Sequence, residues 1–217
     1  MYRILLLTLL FAIPHIGGAQ EPAKKLPTVV LIGDSIRMGY APEVIKALQG
    51  KVTIISPKPN GGDSSNVLKN LKAWAIDPQP DLVHINCGLH DLKKMKNGSF
   101  QVSLADYEKN LNEIITQLKT STKAKLVYAL TTPIIDERHA GRKANFDRFD
   151  ADVKKFNEVA TKIMKKHGVP LNDLYQVVQQ NDPAKCLGKD GTHYTPAGNA
   201  FLVKAVTAKI TEMLELK

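Results

Sequence analysis

A serine near one end of the chain and an aspartate–histidine pair near the other carry the chemistry that stands out. Gly33-Asp34-Ser35-Ile36 and Asp190-Gly191-Thr192-His193 together supply a nucleophile, a base and an orienting carboxylate. A serine hydroxyl is a weak nucleophile at neutral pH, so an imidazole must take its proton and a buried acid must hold that imidazole in the productive tautomer. The two blocks can meet only if the chain folds into one compact domain that brings both ends to the same edge. Taken singly, each block has an ordinary reading: a strand end followed by a helix cap for the first, a polar turn for the second.

A third block, Gly88-Leu89-His90-Asp91, lies between them and also follows an apolar run. With it, the chain from about Val29 onward resembles the SGNH, or GDSL, hydrolase superfamily, in which a serine block, a glycine, a Gly-x-Asn-Asp block and Asp-x-x-His follow in that order. The resemblance implies that Ser35 is the nucleophile, His193 the general base and Asp190 its orienting acid. It implies an oxyanion hole made by Ser35, Gly62 and His90, with Gly61 beside Gly62 leaving that register open by one. His90 departs from the family pattern, which has Asn. A neutral imidazole also carries one N–H donor, so His90 can serve, and a cation beside His193 would disfavour the imidazolium formed there. The alternative for His90 is packing at a strand end, with the hole left to backbone amides.

The elements that must position these residues are written in the hydrophobic pattern. Apolar runs at Val29–Ile32, Val52–Ile55, Leu82–Cys87, Leu126–Leu130 and, more weakly, Val169–Leu174 alternate with helical spacing. That alternation predicts a three-layer α/β/α sandwich on a mostly parallel, flavodoxin-like five-stranded sheet. Pro42 is expected in the first turn of a helix that turns Val44, Ile45 and Leu48 inward and ends at Gly50. Val67, Leu68, Leu71, Trp74 and Ala75 form a second helical stripe. Ser103 and Asp106 have capping-box-like spacing ahead of a third helix. Residues Ile134 to Asn145 read as a polar loop over the active edge. The next helix places Val153, Phe156, Val159 and Ile163 on one face and stops at Gly168. Thr195-Pro196 opens the last helix. His84 and Asn86, alternating with Val83 and Ile85, are expected to be hydrogen-bonded core residues.

At 217 residues the chain holds one domain with a full core. Residues 1–19 read as a secretory leader, with Arg3, an apolar Ile4–Ile13 and small residues at Gly17-Gly18-Ala19, so residues 20–217 form the mature domain. An exported protein, periplasmic or secreted, with no integral membrane segment after the leader, is the expectation. The formal charge is +9, yet lysines are scattered over every helical stripe and no aromatic interleaving supports nucleic-acid binding. Lys93-Lys94-Met95-Lys96 reads as a solvated loop, with a cleft for an anionic substrate as the alternative. Cys87 and Cys186 should approach the same sheet end. Export would permit their oxidation, while a buried free thiol is the commoner state for a strand-end cysteine.

No cluster has metal-ligand spacing and no phosphate loop is present, so no metal and no cofactor is expected. Flavin proteins and response regulators share such architectures, and only the residues decide. They point to a serine esterase acting on small acyl esters, O-acetyl groups on carbohydrate in particular, through an acyl-enzyme on Ser35. The carbohydrate comes from resemblance to acetylesterases of the superfamily. A lysophospholipase or thioesterase, an acyltransferase with the same three residues, and a catalytically dead carbohydrate-binding protein stand as alternatives. Sequence leaves the oligomeric state open.

Overall fold

Residues 25–217 are described by the computed structural model; the expected leader over residues 1–19 lies outside them. Strand β1 (Thr28–Ile32) runs into helix α1 (Ser35–Ala47), and β2 (Thr53–Ile55) leads to α2 (Ser64–Leu71), which continues through a π-helical turn at Lys72–Ile76. Then come β3 (Leu82–Ile85), β4 (Lys94–Met95), α3 (Leu104–Ser121), β5 (Lys125–Ala129), α4 (Asp136–Ala140), β6 (Phe146–Asp147) and α5 (Asp150–His167). The chain closes with β7 (Leu171–Asn172), α6 (Leu174–Gln179), α7 (Pro183–Cys186) and α8 (Pro196–Leu214).

The main sheet has the order β2-β1-β3-β5-β7, and every pairing is parallel. Helices cover both faces, so the α/β expectation holds, with the sheet wholly rather than mostly parallel. Strands β1 and β3 sit at its centre, and Val29 to Ile32 and Leu82 to Ile85 are all buried, as a strand covered on both faces must be. Parallel strands all deliver their carboxyl ends to one edge. Ser35 follows β1 there, and the His90 segment follows β3. This is how residues far apart in sequence come together. Among the described residues, no helix is long and apolar enough to cross a membrane.

Several local expectations hold for the physical reasons given. The Ser103 hydroxyl accepts from the Asp106 N–H (3.1 Å) and caps α3, whose Tyr107, Leu111, Ile114, Ile115 and Leu118 are buried. Gly168 ends α5 at φ +63°, and Thr195 caps α8. Buried His84 pairs through Nε2 with the Asn172 amide (3.1 Å), and Asn86 donates to the Ala129 carbonyl (2.8 Å).

Other expectations are corrected. Helix α1 begins at Ser35, not near Pro42, because the Asp34 carboxylate caps it by accepting from the Ile36 N–H (2.9 Å); Pro42 lies in the helix interior. That start sets the phase. Ile36, Tyr40, Val44 and Leu48 fall on the buried stripe and leave Ile45 exposed on the flank. The third strand ends at Ile85, and the fifth is only two residues long. The segment expected as a loop at Ile134–Asn145 contains α4. The lysine run is not a solvated loop throughout, since Lys94–Met95 pairs antiparallel with Phe146–Asp147 in a second, two-stranded ribbon. By contrast, Cys87 and Cys186 are free and buried, the commoner state expected for a strand-end cysteine.

Candidate active site

Ser35 is the first residue of α1, so its N–H has no partner within the helix and its hydroxyl stands at the carboxyl edge of the sheet. The Ser35 Oγ is 2.9 Å from His193 Nε2, and His193 Nδ1 is 2.6 Å from Asp190 Oδ2. The structure therefore joins the three residues named from sequence, across 158 positions, in one chain of hydrogen bonds. An ionised carboxylate can only accept, so the imidazole proton sits on Nδ1 and Nε2 is left to accept from the serine.

Asp190 differs from expectation in being part-exposed: 31% of its side chain remains accessible. What holds it is its own turn. Its Oδ1 accepts the backbone N–H of His193 (2.9 Å) and of Thr192 (3.0 Å). Burial pushes its pKa up, but the hydrogen bonds from the His193 ring and these two amides outweigh burial and hold it well below the usual carboxylate range. Gly191 makes the turn possible. It sits at φ +65°, and a Cβ there would lie 2.5 Å from the Ile135 carbonyl. Ile135 and α4 brace the turn from above: the Ile135 N–H donates to the Gly191 carbonyl (2.9 Å), and His139 Nδ1 lies 3.1 Å from the Thr192 hydroxyl. The segment thus packs against the turn that carries Asp190.

The two glycines make different contacts. Gly61 donates its N–H to the Gly33 carbonyl (2.9 Å), an approach so close that a Cβ would fall 2.7 Å from that oxygen. Its donor is spent on the backbone of the serine block. The Gly62 N–H is itself directed at Asn60 Oδ1 (2.9 Å), a partner that sequence reasoning did not identify. Two further groups lock this region together. Buried Arg37 donates to the carbonyls of Gly33 (3.1 Å) and Pro59 (2.9 Å) and to the Ser56 hydroxyl (2.9 Å). The Asp91 carboxylate accepts the Ser64 N–H (2.9 Å), tying the turn after Gly62 to the His90 segment. Burial drives Asp91 up to about 6.

His90 is half-buried, and its ring makes no hydrogen bond among the described residues. Burial, then the positive charges of Lys93 and Arg148, pull its pKa down to about 4, so the ring is neutral at pH 7 and has an N–H to offer. A cleft of about 660 Å³ opens beside Ser35 and His193, between α1 and α8. Ile36, Pro42 and Pro196 line it beside Glu43, Thr195 and Asn199, a mixed wall rather than a continuous apolar groove. The arrangement can lower the barrier to attack of a hydroxyl on an acyl carbon.

Comparison with known proteins agrees with this geometry. Residues 31–201 match the model of the GDSL-like lipase/acylhydrolase family. Two GDSL esterase/lipases of Arabidopsis thaliana are similar in sequence. One is 27% identical over 144 residues, 61% of this chain and 59% of the relative, so the match spans less than two thirds of that relative's length. The other is 26% identical over 212 residues, 86% of each. Among solved structures, a lipase/acylhydrolase from Enterococcus faecalis superposes with a TM-score of 0.74 at 22% identity, covering 88% of this chain and 98% of its own. An acetyl xylan esterase from Geobacillus stearothermophilus superposes with a TM-score of 0.67 at 19% identity, covering 86% and 95%. These structural likenesses show the fold.

Proposed function

The chain belongs to the GDSL-like lipase/acylhydrolase family, a family of carboxylic ester hydrolases, and we propose that it removes small acyl groups, O-acetyl above all, from carbohydrate through an acyl-enzyme on Ser35. The observation that carries this reading is the hydrogen-bond chain Ser35–His193–Asp190. In the proposed sequence, His193 Nε2 takes the Ser35 proton as Oγ bonds to the ester carbonyl carbon. The carbonyl oxygen becomes an oxyanion received by the N–H groups of Ser35, Gly62 and His90. Asp190 stabilises the imidazolium. His193 then gives its proton to the leaving alcohol oxygen as the C–O bond breaks. Water, deprotonated by the same Nε2, attacks the acyl carbon, and collapse of the second tetrahedral intermediate releases the acid and restores Ser35.

Small acyl groups fit the mixed lining of the cleft better than long chains, which call for a continuous apolar wall. The acetyl xylan esterase among the structural neighbours supports a carbohydrate ester by analogy of fold. A Ser35→Ala protein that keeps its circular dichroism but loses both aryl acetate hydrolysis and labelling by an organophosphonate is the expected result. Labelling of the Ser35-free protein, with normal turnover, would place the nucleophile elsewhere. A series of aryl esters from acetate to decanoate should show rates falling with chain length. A rise would favour a lysophospholipase or thioesterase.

A further inference from the structure

A second group of side chains gathers beside His90 and belongs to none of the roles above. Strands β4 and β6 pair Lys94 with Asp147 and Met95 with Phe146, and the next position of that antiparallel register sets Lys93 opposite Arg148. Both cations converge on one ring. Lys93 Nζ lies 5.0 Å, and Arg148 Cζ 4.8 Å, from the centroid of Phe146. Arg148 is only 5% exposed, and its Nε donates to the carbonyl of Leu89 (2.7 Å), the residue before His90. Its two Nη atoms have no protein acceptor among the described residues, and no carboxylate there lies within ion-pair distance of either cation.

A largely buried guanidinium whose carboxylates stay beyond ion-pair distance is costly, and a second cation set directly across a ribbon from it adds repulsion. The neighbouring carboxylates act on these cations only from a distance. Asp34 caps α1 through one oxygen and leaves the other without a hydrogen-bond partner among the described residues. Its charge and that of Asp190 favour the Arg148 cation without an ion pair. Asp63 caps α2 and also receives Gln101, and Asp190 holds His193. The cation–π contacts with Phe146 fix both charges in place but do not neutralise them. An oxyanion from outside the protein would satisfy the open Nη donors in bidentate fashion.

We propose that Arg148, Lys93 and Phe146 form a subsite for an anionic group, a carboxylate or a sulfate, carried by the ester substrate close to the bond that is cleaved. This rests on the serine esterase reading and narrows its substrate to an acylated acidic sugar.

The test uses three matched substrates, O-acetylated methyl glucuronate ester (neutral), O-acetylated glucuronate and O-acetylated glucose sulfate, with acetate release as the readout. The wild type should show kcat/KM at least tenfold higher for an anionic substrate than for the neutral one, chiefly through KM. The ratio should shrink as salt rises from 50 to 500 mM. Whichever anion gains more identifies the group. Lys93→Met and Arg148→Gln should bring the ratio toward one, and Lys93→Glu, which leaves buried Arg148 in place, should take it below one even if Arg148→Gln fails to fold. A wild-type ratio near one overturns the subsite. So does a ratio unmoved by Lys93→Glu, or an equal fall on all three substrates, which would mean that the charges act on the oxyanion alone. In each of those cases Ser35-dependent hydrolysis of the neutral ester leaves the esterase reading standing. Absence of hydrolysis of all three substrates, and of aryl acetates, removes the esterase reading and the subsite together.

Discussion

Replacing His90 by Ala tests the point at which this chain departs from the Asn of its family. The proposed mechanism gives the oxyanion three donors, but they are not equivalent in the resting structure. The Gly62 N–H is already turned to Asn60 Oδ1, while the Ser35 N–H and the His90 ring are unengaged. His90 is thus one of two donors that meet developing charge without first giving up a protein partner. Loss of a single such donor costs roughly 10²–10³ in kcat, about 2.7–4 kcal/mol, and His90→Ala should lie toward the larger value. The loss should appear in kcat with little change in KM, since the oxyanion exists only beyond the ground state. His90 is neutral down to about pH 4. The wild-type to variant ratio should therefore stay flat between pH 5.5 and 8, whereas a charged donor would make it vary. His90→Asn, by restoring an N–H, should recover much of the rate. The assay is steady-state hydrolysis of an aryl acetate across that pH range. If Ala and Asn both turn over within threefold of the wild type, His90 packs at the strand end and the amides of Ser35 and Gly62 make the hole alone.

Asp190→Asn should keep the turn but favour the wrong imidazole tautomer, with kcat falling on the order of 10⁴; unchanged kcat in the same assay would remove Asp190 from the mechanism. Asn60→Ala releases a donor that the oxyanion must otherwise win from a hydrogen bond worth about 1 kcal/mol, so kcat/KM should rise by up to about fivefold. A tenfold fall would instead mean that Asn60 is what aims the Gly62 N–H. His84 supplies a stability test. Burial lowers its pKa from the ordinary 6.5 to about 4, so the unfolded chain takes up this proton first as the medium is acidified. The contribution is fully present above pH 6.5 and is lost as pH falls through about 4, a loss of up to about 3 kcal/mol. Asp91, raised by burial from 3.8 to about 6, acts in the opposite sense, its contribution present below 3.8 and lost as pH rises through 6. The difference in urea-unfolding free energy between wild type and His84→Asn, measured at pH 7 and pH 4.5, isolates the histidine. An equal difference at both values would refute the buried neutral assignment.

What could be read in the sequence follows from how far each effect reaches along the chain. The strands were legible because burial on both faces leaves unbroken apolar runs, as at Val29–Ile32. Ser35, Asp190 and His193 were legible because each sits in a short motif whose local backbone already suggests a turn. Errors arose where one local rule competed with another. The placement of Pro42 at a helix start relied on the usual preference of proline, but the Asp34 carboxylate eight residues earlier caps the helix first, and the shifted phase carries Ile45 out to solvent.

Arg148 illustrates the opposite limit. Nothing within Phe146-Asp147-Arg148 marks it as a residue of the active edge, since the bond that places it there runs to a carbonyl 59 positions away. The lysine run carried half of that information. A cluster of like charges beside a catalytic block is unfavourable in a compact state, and solvation is the ordinary way to relieve it. Once the ribbon pairs Lys94 with Asp147, solvation is no longer complete for Lys93 or Arg148. On the proposal above, an anionic group of the substrate relieves the charge that remains there. Composition could signal an excess of cations, and only the register between β4 and β6 could show which two are brought together over Phe146.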